Sequence, residues 1–146
     1  MYERILVPLD GSERAEAILP HVETLAVSYE AEVLLLHVVE PNVVFTSPYD
    51  AYPEMNMEEA ERRVEEARAY LNRLVKRLER QGITVREIVE YGPIVLSILD
   101  VATAQDVSLI AMASHGRSGL ARVFYGSVAA GVLQRVDRPL FLVRSR

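Results

Sequence analysis

The sequence predicts an α/β protein, and three observations support this class. Five short apolar segments alternate with four segments of helical periodicity along 146 residues. The second apolar segment, 31–39, is apolar at consecutive positions, as expected for a strand whose two faces are both covered by helices. No internal repeat or low-complexity segment interrupts the alternation. The pattern therefore predicts a three-layer α/β/α sandwich with a mainly parallel five-stranded sheet and right-handed crossovers.

The first half of the chain contains two strands and one helix. The first strand covers 4–9, and Ser12 is a suitable N-cap for a helix that begins at the next residue. Pro20 falls inside this helical pattern and predicts a kink or a restart. The second strand, 31–39, is followed by 41–56, which we expect to be irregular because it contains prolines and shows no clear periodicity.

The second half begins with the longest helix, 58–81, which is followed by Gly82 at the expected C′ position. Its apolar residues recur in steps of three and four, which is typical of a coiled-coil seam or, more often in an α/β pattern, of a stripe that faces the core. Arg62 and Arg63 are assigned to the solvated outer face, paired with glutamates four residues earlier. The remaining elements are a strand at 83–89, a helix that starts at Pro93, a strand at 107–112, a helix at 127–136 and a strand at 140–143.

Composition excludes several functions. The chain has no cysteine, which rules out thiolate catalysis, disulfides and cysteine-ligated metals. The net charge is −5 and no Lys/Arg block occurs, which argues against a nucleic-acid partner. The first residues do not form a signal peptide, and no apolar run is long enough to span a bilayer. We expect one cytoplasmic domain over 1–146, with no membrane partner.

A glycine-bearing segment follows the fourth strand. Residues 113–119 read Ala-Ser-His-Gly-Arg-Ser-Gly, and Gly126 and Ser127 begin the fourth helix. The first N–H groups of a helix have no internal partner, and the helix dipole favours an anion there. This segment therefore predicts a phosphate site. The candidate contacts within the loop are His115, Gly116, Arg117 and Gly119, and Arg122 is a further cation beside it.

The ends of the other strands supply further candidates. Ligands of open α/β sheets bind beyond the carboxyl ends of the strands, where the strand order reverses. Asp10 follows the first strand, and His37 and Val38 lie near the end of the second. If the first and fourth strands are neighbours, Asp10 and the glycine loop face one crevice. Asp10 is then either a turn former ahead of Gly11 or a partner for sugar hydroxyls, whereas His37 is interpreted as structural.

Familiar phosphate and nucleophile chemistries lack essential parts. Gly126 and Ser127 have no preceding lysine, so they do not complete a Walker loop, and the glycine spacing differs from a Rossmann fingerprint. A receiver domain would need clustered carboxylates at several strand ends, but Asp10 stands alone. The three histidines assemble no convincing triad. No residue is placed as a general base to activate water, so we do not expect a fast ATPase.

At this point the residues resemble the universal stress protein family, in its nucleotide-binding branch. The resemblance covers 3–144 and depends on three segments: 5–12, 36–38 and 114–127. The family motif Gly-x2-Gly-x9-Gly-Ser/Thr matches at Gly116 and at Gly126 with Ser127, whereas Ala113 replaces the first glycine. The resemblance implies the adenine nucleotide alpha hydrolase-like fold, with strand order 3-2-1-4-5.

The resemblance also implies an adenine-nucleotide site, binding ATP, ADP or AMP. Asp10 would contact the ribose hydroxyls, and the Val38 backbone would contact the adenine edge beside Pro8. Ala113 would approach the ribose, where its methyl either crowds the sugar or is accommodated by a small shift. The phosphates would be held by Gly116, Arg117, Gly126, Ser127 and Val128. Mg²⁺ commonly accompanies ATP, but no protein ligand for it is evident in the sequence.

Three functions remain open at this level. The first is an ATP-binding regulatory switch in stress response, with slow hydrolysis at most. The second is a stress-response interaction protein that has lost nucleotide affinity because of Ala113. The third is an enzyme that uses the nucleotide as a substrate, with a second pocket under the loop that carries Tyr49 and Tyr52. The last strand, 140–143, is uniformly apolar and predicts a sheet edge that is paired, and the resemblance implies homodimers formed through it.

Overall fold

The computed structural model describes residues 1–41, 43–53, 56–115 and 126–145, excluding the side chains of 43–46, 51–53 and His115. Within these residues the chain forms seven strands, four α-helices and one short 3₁₀ turn (Ala15–Ile18). The strands are β1 (Arg4–Pro8), β2 (Glu32–Val39), β3 (Val43–Ser47), β4 (Asp50–Pro53), β5 (Val85–Tyr91), β6 (Leu109–His115) and β7 (Leu140–Ser145). The helices are α1 (Leu19–Tyr29), α2 (Met57–Glu79), α3 (Ile94–Ala104) and α4 (Ser127–Arg135).

Five of the strands form one parallel sheet in the order β5-β2-β1-β6-β7. Counted along the main sheet, this is the order 3-2-1-4-5, so the expected fold is confirmed. Leu6 of β1 lies opposite Leu34 of β2 on one side and opposite Ile110 of β6 on the other. β1 and β6 are therefore neighbours, and the strand order reverses between them.

Two apolar layers cover the faces of the sheet. Leu35 and its neighbours on one face pack with α1 and α2, whereas Leu34 and Leu36 on the other face pack with α3 and α4. The alternation follows from the period of two in a strand, which sends successive side chains to opposite faces. In α2 the buried residues all come from the apolar stripe, which confirms that the stripe faces the core: Ala67, Leu71, Leu74 and Leu78.

The segment before α1 differs from the helix expected to begin after Ser12. The Ser12 hydroxyl does accept the Ala15 N–H at 3.2 Å, but it caps a 3₁₀ turn and not an α-helix. Pro20 has no N–H to donate, so regular helical bonding cannot pass through it. α1 instead begins at Leu19 with the proline in its first turn, which confirms the predicted restart.

The segment 41–56, expected to be irregular, contains an antiparallel hairpin of β3 and β4, so that prediction is wrong. Val44 lies opposite Tyr52, and the Ser47 hydroxyl donates to Asp50 Oδ2 at 3.1 Å across the turn. The prolines misled the prediction. Pro53 lies at the end of β4 and Pro48 lies in the turn, where neither needs to donate a ladder hydrogen bond.

None of the described helices combines the length and the apolar character needed to cross a membrane.

Candidate functional site

A cleft of about 310 Å³ opens at the carboxyl edge of the sheet, beside the ends of β1, β2 and β6. This edge is the topological switch point, where ligands of open α/β sheets bind. Its described walls come from three strand ends and from α2, α3 and α4. They include Pro8, Leu9, Asp10, Leu36, His37, Val38, Glu40, Arg63, Ile94, Ile98, Met112, Ala113, Gly126, Ser127, Val128 and Ala129. The cleft thus brings together seven of the residues selected from the sequence.

Asp10 is both a turn former and a wall of the cleft. Its Oδ1 accepts the Ser12 N–H at 2.9 Å and the Ser12 hydroxyl at 2.6 Å. Gly11 between them has φ +87°, a conformation that a side chain would strain. A carboxylate has about four acceptor sites, and the Asp10 side chain is exposed at the cleft wall. The two interpretations of Asp10 are therefore compatible.

The end of β2 extends beyond β1. The Leu9 N–H donates to the Leu36 carbonyl at 2.8 Å, so the backbone polar groups of Leu36 point toward β1. Alternate residues of a strand point the same way, so those of Val38 also point to this side, past the last described pairing of β1 at Pro8. The Val39 carbonyl instead accepts the Gly92 N–H at 3.0 Å on the β5 side. The backbone of Val38 consequently faces the cleft.

The end of β6 lies further along the chain than the sequence indicated. Ala113, Ser114 and His115 belong to the strand and lie opposite Val143, Arg144 and Ser145 of β7. His115 is therefore a strand residue and not the loop histidine that we expected, because pairing with β7 extends the strand past Met112. Gly116, Arg117, Gly119 and Arg122 lie outside the described residues.

Ala113 is 7% exposed and packs in the apolar layer beneath α1, on the same face as Ala111. The Ala113 methyl contributes to the core, while the residue also lines the cleft. Of the two alternatives for this methyl, crowding the sugar or being accommodated, the packing therefore favours the second.

The start of α4 forms the opposite wall. Gly126 is the N-cap and has no side chain to accept the first N–H groups. The Ala130 N–H is the first to bond within the helix, to the Gly126 carbonyl at 2.9 Å. The N–H groups of Ser127, Val128 and Ala129 thus precede the helical ladder, and all three residues line the cleft. This wall suits an anion.

Arg63 is a wall residue that sequence reasoning missed. Arg62 does lie on the outer face, with ion pairs to Glu59 at 2.6 Å and Glu66 at 3.2 Å. Arg63 is half-buried and turned toward the cleft, so its assignment to the solvated face is wrong. The usable signal was its position four residues before buried Ala67, on the same face of the helix. Among the described cleft residues, Arg63 supplies the positive charge, and Asp10 and Glu40 supply negative charge.

His37 lies at the boundary of the cleft, half-buried, with its ring edge-to-face against Tyr70 and a centroid distance of 6.2 Å. Burial lowers the pKa of His37 below its usual value; Asp10 opposes this effect and the charge of Arg63 adds to it. The ring is therefore neutral at pH 7. Within the described ranges, no group of three His, Asp or Glu side chains is arranged to hold a metal ion.

Fold and cleft together define an open α/β protein with a cleft at its switch point and the N-terminus of α4 on one wall. The family model for the universal stress proteins matches residues 1–144, and the chain belongs to the universal stress protein family. The resemblance noted in the sequence is thereby confirmed.

Universal stress protein MJ0577 of Methanocaldococcus jannaschii is a similar relative. It is 29% identical over 157 aligned residues, which cover 100% of this chain and 97% of the relative. Its solved structure superposes with a TM-score of 0.78 at 30% identity, covering 100% of this chain and 98% of that one.

Two further solved structures share the fold. A universal stress protein in complex with cAMP has a TM-score of 0.72 at 19% identity, with 99% of this chain and 98% of that one covered. The universal stress protein of Archaeoglobus fulgidus in complex with dAMP has a TM-score of 0.61 at 21% identity, with 97% of each chain covered.

Proposed function

We propose that this protein binds an adenine nucleotide, foremost ATP, in the cleft at the switch point and acts as a nucleotide-dependent regulatory switch in stress response. The observation that carries the proposal is the convergence of Asp10, the Val38 backbone, Ala113 and the start of α4 around one cleft. These residues come from separated parts of the sequence. The family, and the adenine nucleotides bound by two structural neighbours, support the same class of ligand.

The described residues fit the parts of a nucleotide. The polar backbone groups of Val38 would meet the base edge, and the apolar side chains of Ile94, Ile98 and Met112 would cover its faces. The exposed Asp10 carboxylate would accept from the ribose hydroxyls. The N–H groups that precede the helical ladder at the start of α4 would hold phosphate oxygens, joined by the Ser127 hydroxyl. A volume near 310 Å³ lies at the lower end of the range for small-molecule sites.

We propose hydrolysis that is slow at most. The described cleft residues that could act as a base, Asp10, His37 and Glu40, belong to the β1 and β2 ends, where the adenosine would lie. The phosphates would lie across the cleft on α4. A general base must reach the attacking water within hydrogen-bond distance, and these three are on the opposite side. A Mg²⁺ ion that arrives with ATP would take its ligands from phosphate and water.

We also propose a cytoplasmic location, because ATP is available in the cytoplasm.

The test begins with the purified protein. After denaturation, the supernatant is analysed for adenine nucleotides, and ATP is then titrated calorimetrically into nucleotide-free protein. We expect saturable binding, and absence of both released nucleotide and heat at about 1 mM ATP would refute the proposal.

Two variants separate the two roles of Asp10. Asp10→Asn retains the oxygen that accepts from Ser12, so the turn is kept, but it loses the charge that favours ribose hydroxyls. We expect about tenfold weaker ATP binding with little change in stability. Asp10→Ala removes both functions, so it should weaken binding and also lower the free energy of unfolding by about 1 kcal/mol. Equal ATP affinity in Asp10→Asn and wild type would exclude the ribose contact.

A second candidate function is a homodimeric interaction protein that binds no nucleotide. The supporting observation is β7, which is paired on one side with β6 and has no described strand on its other side. Its apolar residues are only partly buried, and Phe141 is 36% exposed. Such an edge is commonly covered by a partner strand, so we propose a homodimer formed through 140–143. A stable monomer at micromolar concentration in light scattering would refute this.

A further inference from the structure

The segment that follows Asp10 is fastened to α2 by a hydrogen bond between residues distant in sequence. The Tyr70 hydroxyl donates to Glu16 Oε2 at 3.1 Å, and the two residues are 54 positions apart. Glu16 belongs to the 3₁₀ turn after β1, and Tyr70 belongs to α2. Both residues are half-buried. The proposed function gives no role to either of them.

From Glu16 a series of hydrogen bonds leads back to Asp10. The Glu16 N–H donates to the Ser12 carbonyl at 3.4 Å, and the Ala15 N–H donates to the Ser12 hydroxyl at 3.2 Å. The Ser12 hydroxyl in turn donates to Asp10 Oδ1 at 2.6 Å, and the Ser12 N–H donates to the same oxygen at 2.9 Å. A displacement of the 3₁₀ turn would therefore move the Asp10 carboxylate.

The position of this segment in the cleft depends on contacts with other elements. Asp10 and Gly11 are exposed, and a glycine leaves the backbone more conformational freedom than any other residue. Ala15 is 5% exposed and packs in the core, which restrains the segment from the sheet side. The bond from Tyr70 restrains it from the α2 side. Such restraints matter because a binding group must be held to within about 0.5 Å of its productive position.

Tyr70 is a suitable anchor because its ring is packed and its hydroxyl stays protonated. The ring packs edge-to-face against His37, and the Arg73 guanidinium lies over it, 5.9 Å from its centroid. Burial raises the pKa of Tyr70, and the charge and hydrogen bond of Glu16 raise it further, followed by the charge of Asp10; Arg73 opposes these effects. The hydroxyl is therefore a hydrogen-bond donor at neutral pH.

We propose that Tyr70 is a positioning residue for the nucleotide: by holding Glu16 it fixes the turn after β1, and with it the place of the Asp10 carboxylate in the cleft. This role rests on the proposed function, in which Asp10 contacts the ribose. Tyr70 is not among the described residues of the cleft wall, so it acts through the turn and not by contact. A turn that is ordered before the nucleotide arrives lowers the cost of binding.

Tyr70→Phe tests the proposal, because it removes the hydroxyl and keeps the ring. We expect ATP binding, measured by calorimetry, to weaken about fivefold. We also expect the Ser12 amide hydrogen to exchange at least about fivefold faster. The Leu9 amide, which donates to the Leu36 carbonyl in the sheet, is the internal reference for exchange. A lower urea midpoint with both quantities unchanged would show a merely structural role and overturn the proposal.

A second link from α2 to the segment after β1 provides a matched control. Arg77 of α2 pairs with Glu23 of α1 at 2.8 Å, and neither residue lines the cleft. Glu16→Ala should weaken ATP binding about fivefold, whereas Glu23→Ala should change it by less than about twofold. Each variant removes one negative charge, which by itself favours an anionic ligand, so weaker binding would not be a charge effect. Equal ATP affinities in the two variants would overturn the proposal.

A conservative variant and a double-mutant cycle test the route from Tyr70 to Asp10. Glu16→Gln retains an oxygen that accepts from the Tyr70 hydroxyl, so it should bind ATP within about twofold of wild type. Binding as weak as in Glu16→Ala would overturn the proposal. In the Asp10→Asn background, Tyr70→Phe should change ATP affinity by less than about twofold, because the carboxylate that it positions is already absent. Full additivity would mean that Tyr70 acts through another part of the cleft, and would also overturn the proposal.

Different outcomes refute the role of Tyr70 and the proposed function. If wild type binds ATP and Tyr70→Phe binds it equally well, only the role of Tyr70 is refuted. If wild type binds no ATP, the nucleotide function is refuted, and exchange of the Ser12 amide still decides whether Tyr70 holds the turn. Faster exchange in Tyr70→Phe would then uphold that restraint, and unchanged exchange would overturn it.

Discussion

Ala113→Gly distinguishes two roles for the residue that replaces the first glycine of the family motif. The Ala113 methyl is buried in the layer beneath α1. Its removal costs about 0.8 kcal/mol of apolar burial, and a glycine inside a strand costs about 0.5–1 kcal/mol more. We therefore expect the free energy of unfolding to fall by about 1.5 kcal/mol. ATP affinity should change by less than about threefold, because the methyl packs in the core.

Urea unfolding measures the first quantity, and calorimetric titration with ATP measures the second. Ala111→Gly is the matched control, since Ala111 lies on the same strand and face, is 0% exposed and is not part of the cleft wall. It should lose at least as much stability and keep its ATP affinity. If Ala113→Gly kept full stability and bound ATP about tenfold more tightly, the methyl would project onto the sugar, and our reasoning would be refuted.

Three further predictions concern stability. Burial lowers the pKa of His37, so as the pH falls through 6.5 the unfolded chain binds this proton before the folded protein does. The contribution of His37 to the free energy of unfolding is therefore present above that pH and is lost below it. An NMR titration, with the His37 signal assigned by His37→Gln, should show a midpoint below 6.5, and a midpoint above 6.5 would contradict the burial argument. Glu87 Oε2 is buried with no partner among the described residues, so Glu87→Met should raise the free energy of unfolding by about 1 kcal/mol in urea, whereas a loss would mean that the carboxylate is paired. A Cβ at Gly131 would lie 2.8 Å from Val95 Cγ2, so Gly131→Ala should cost about 1–3 kcal/mol of overpacking, more than its gain in helix propensity. Adding Val95→Ala should recover part of that loss, and simple additivity in the double-mutant cycle would argue against the contact.

The order of elements was predictable because each element carries its own local signal. Apolar residues recur with a period of two in strands and of 3.6 in helices, and this difference separated the two kinds of element. Pro20 correctly indicated where the helix restarts as α1. The hairpin of β3 and β4 was missed because its prolines sit at a turn and a strand end, where they do not interrupt pairing. The end of β6 was misjudged for a related reason, since pairing with β7, about thirty residues away, extends the strand to His115.

The sequence alone determined the fold class, the family and the strand ends that carry Asp10 and Val38, because these depend on local periodicity and on motif spacing. Only the tertiary structure decided which side of each residue faces the cleft. It showed that β1 stops short of Val38, which leaves that backbone directed into the cleft, and that the Ala113 methyl packs in the core. It also placed Arg63 on the wall of the cleft. The spacing to Ala67 indicates only which face of α2 carries Arg63. What that face meets depends on the relative placement of elements distant in sequence, which local patterns do not encode.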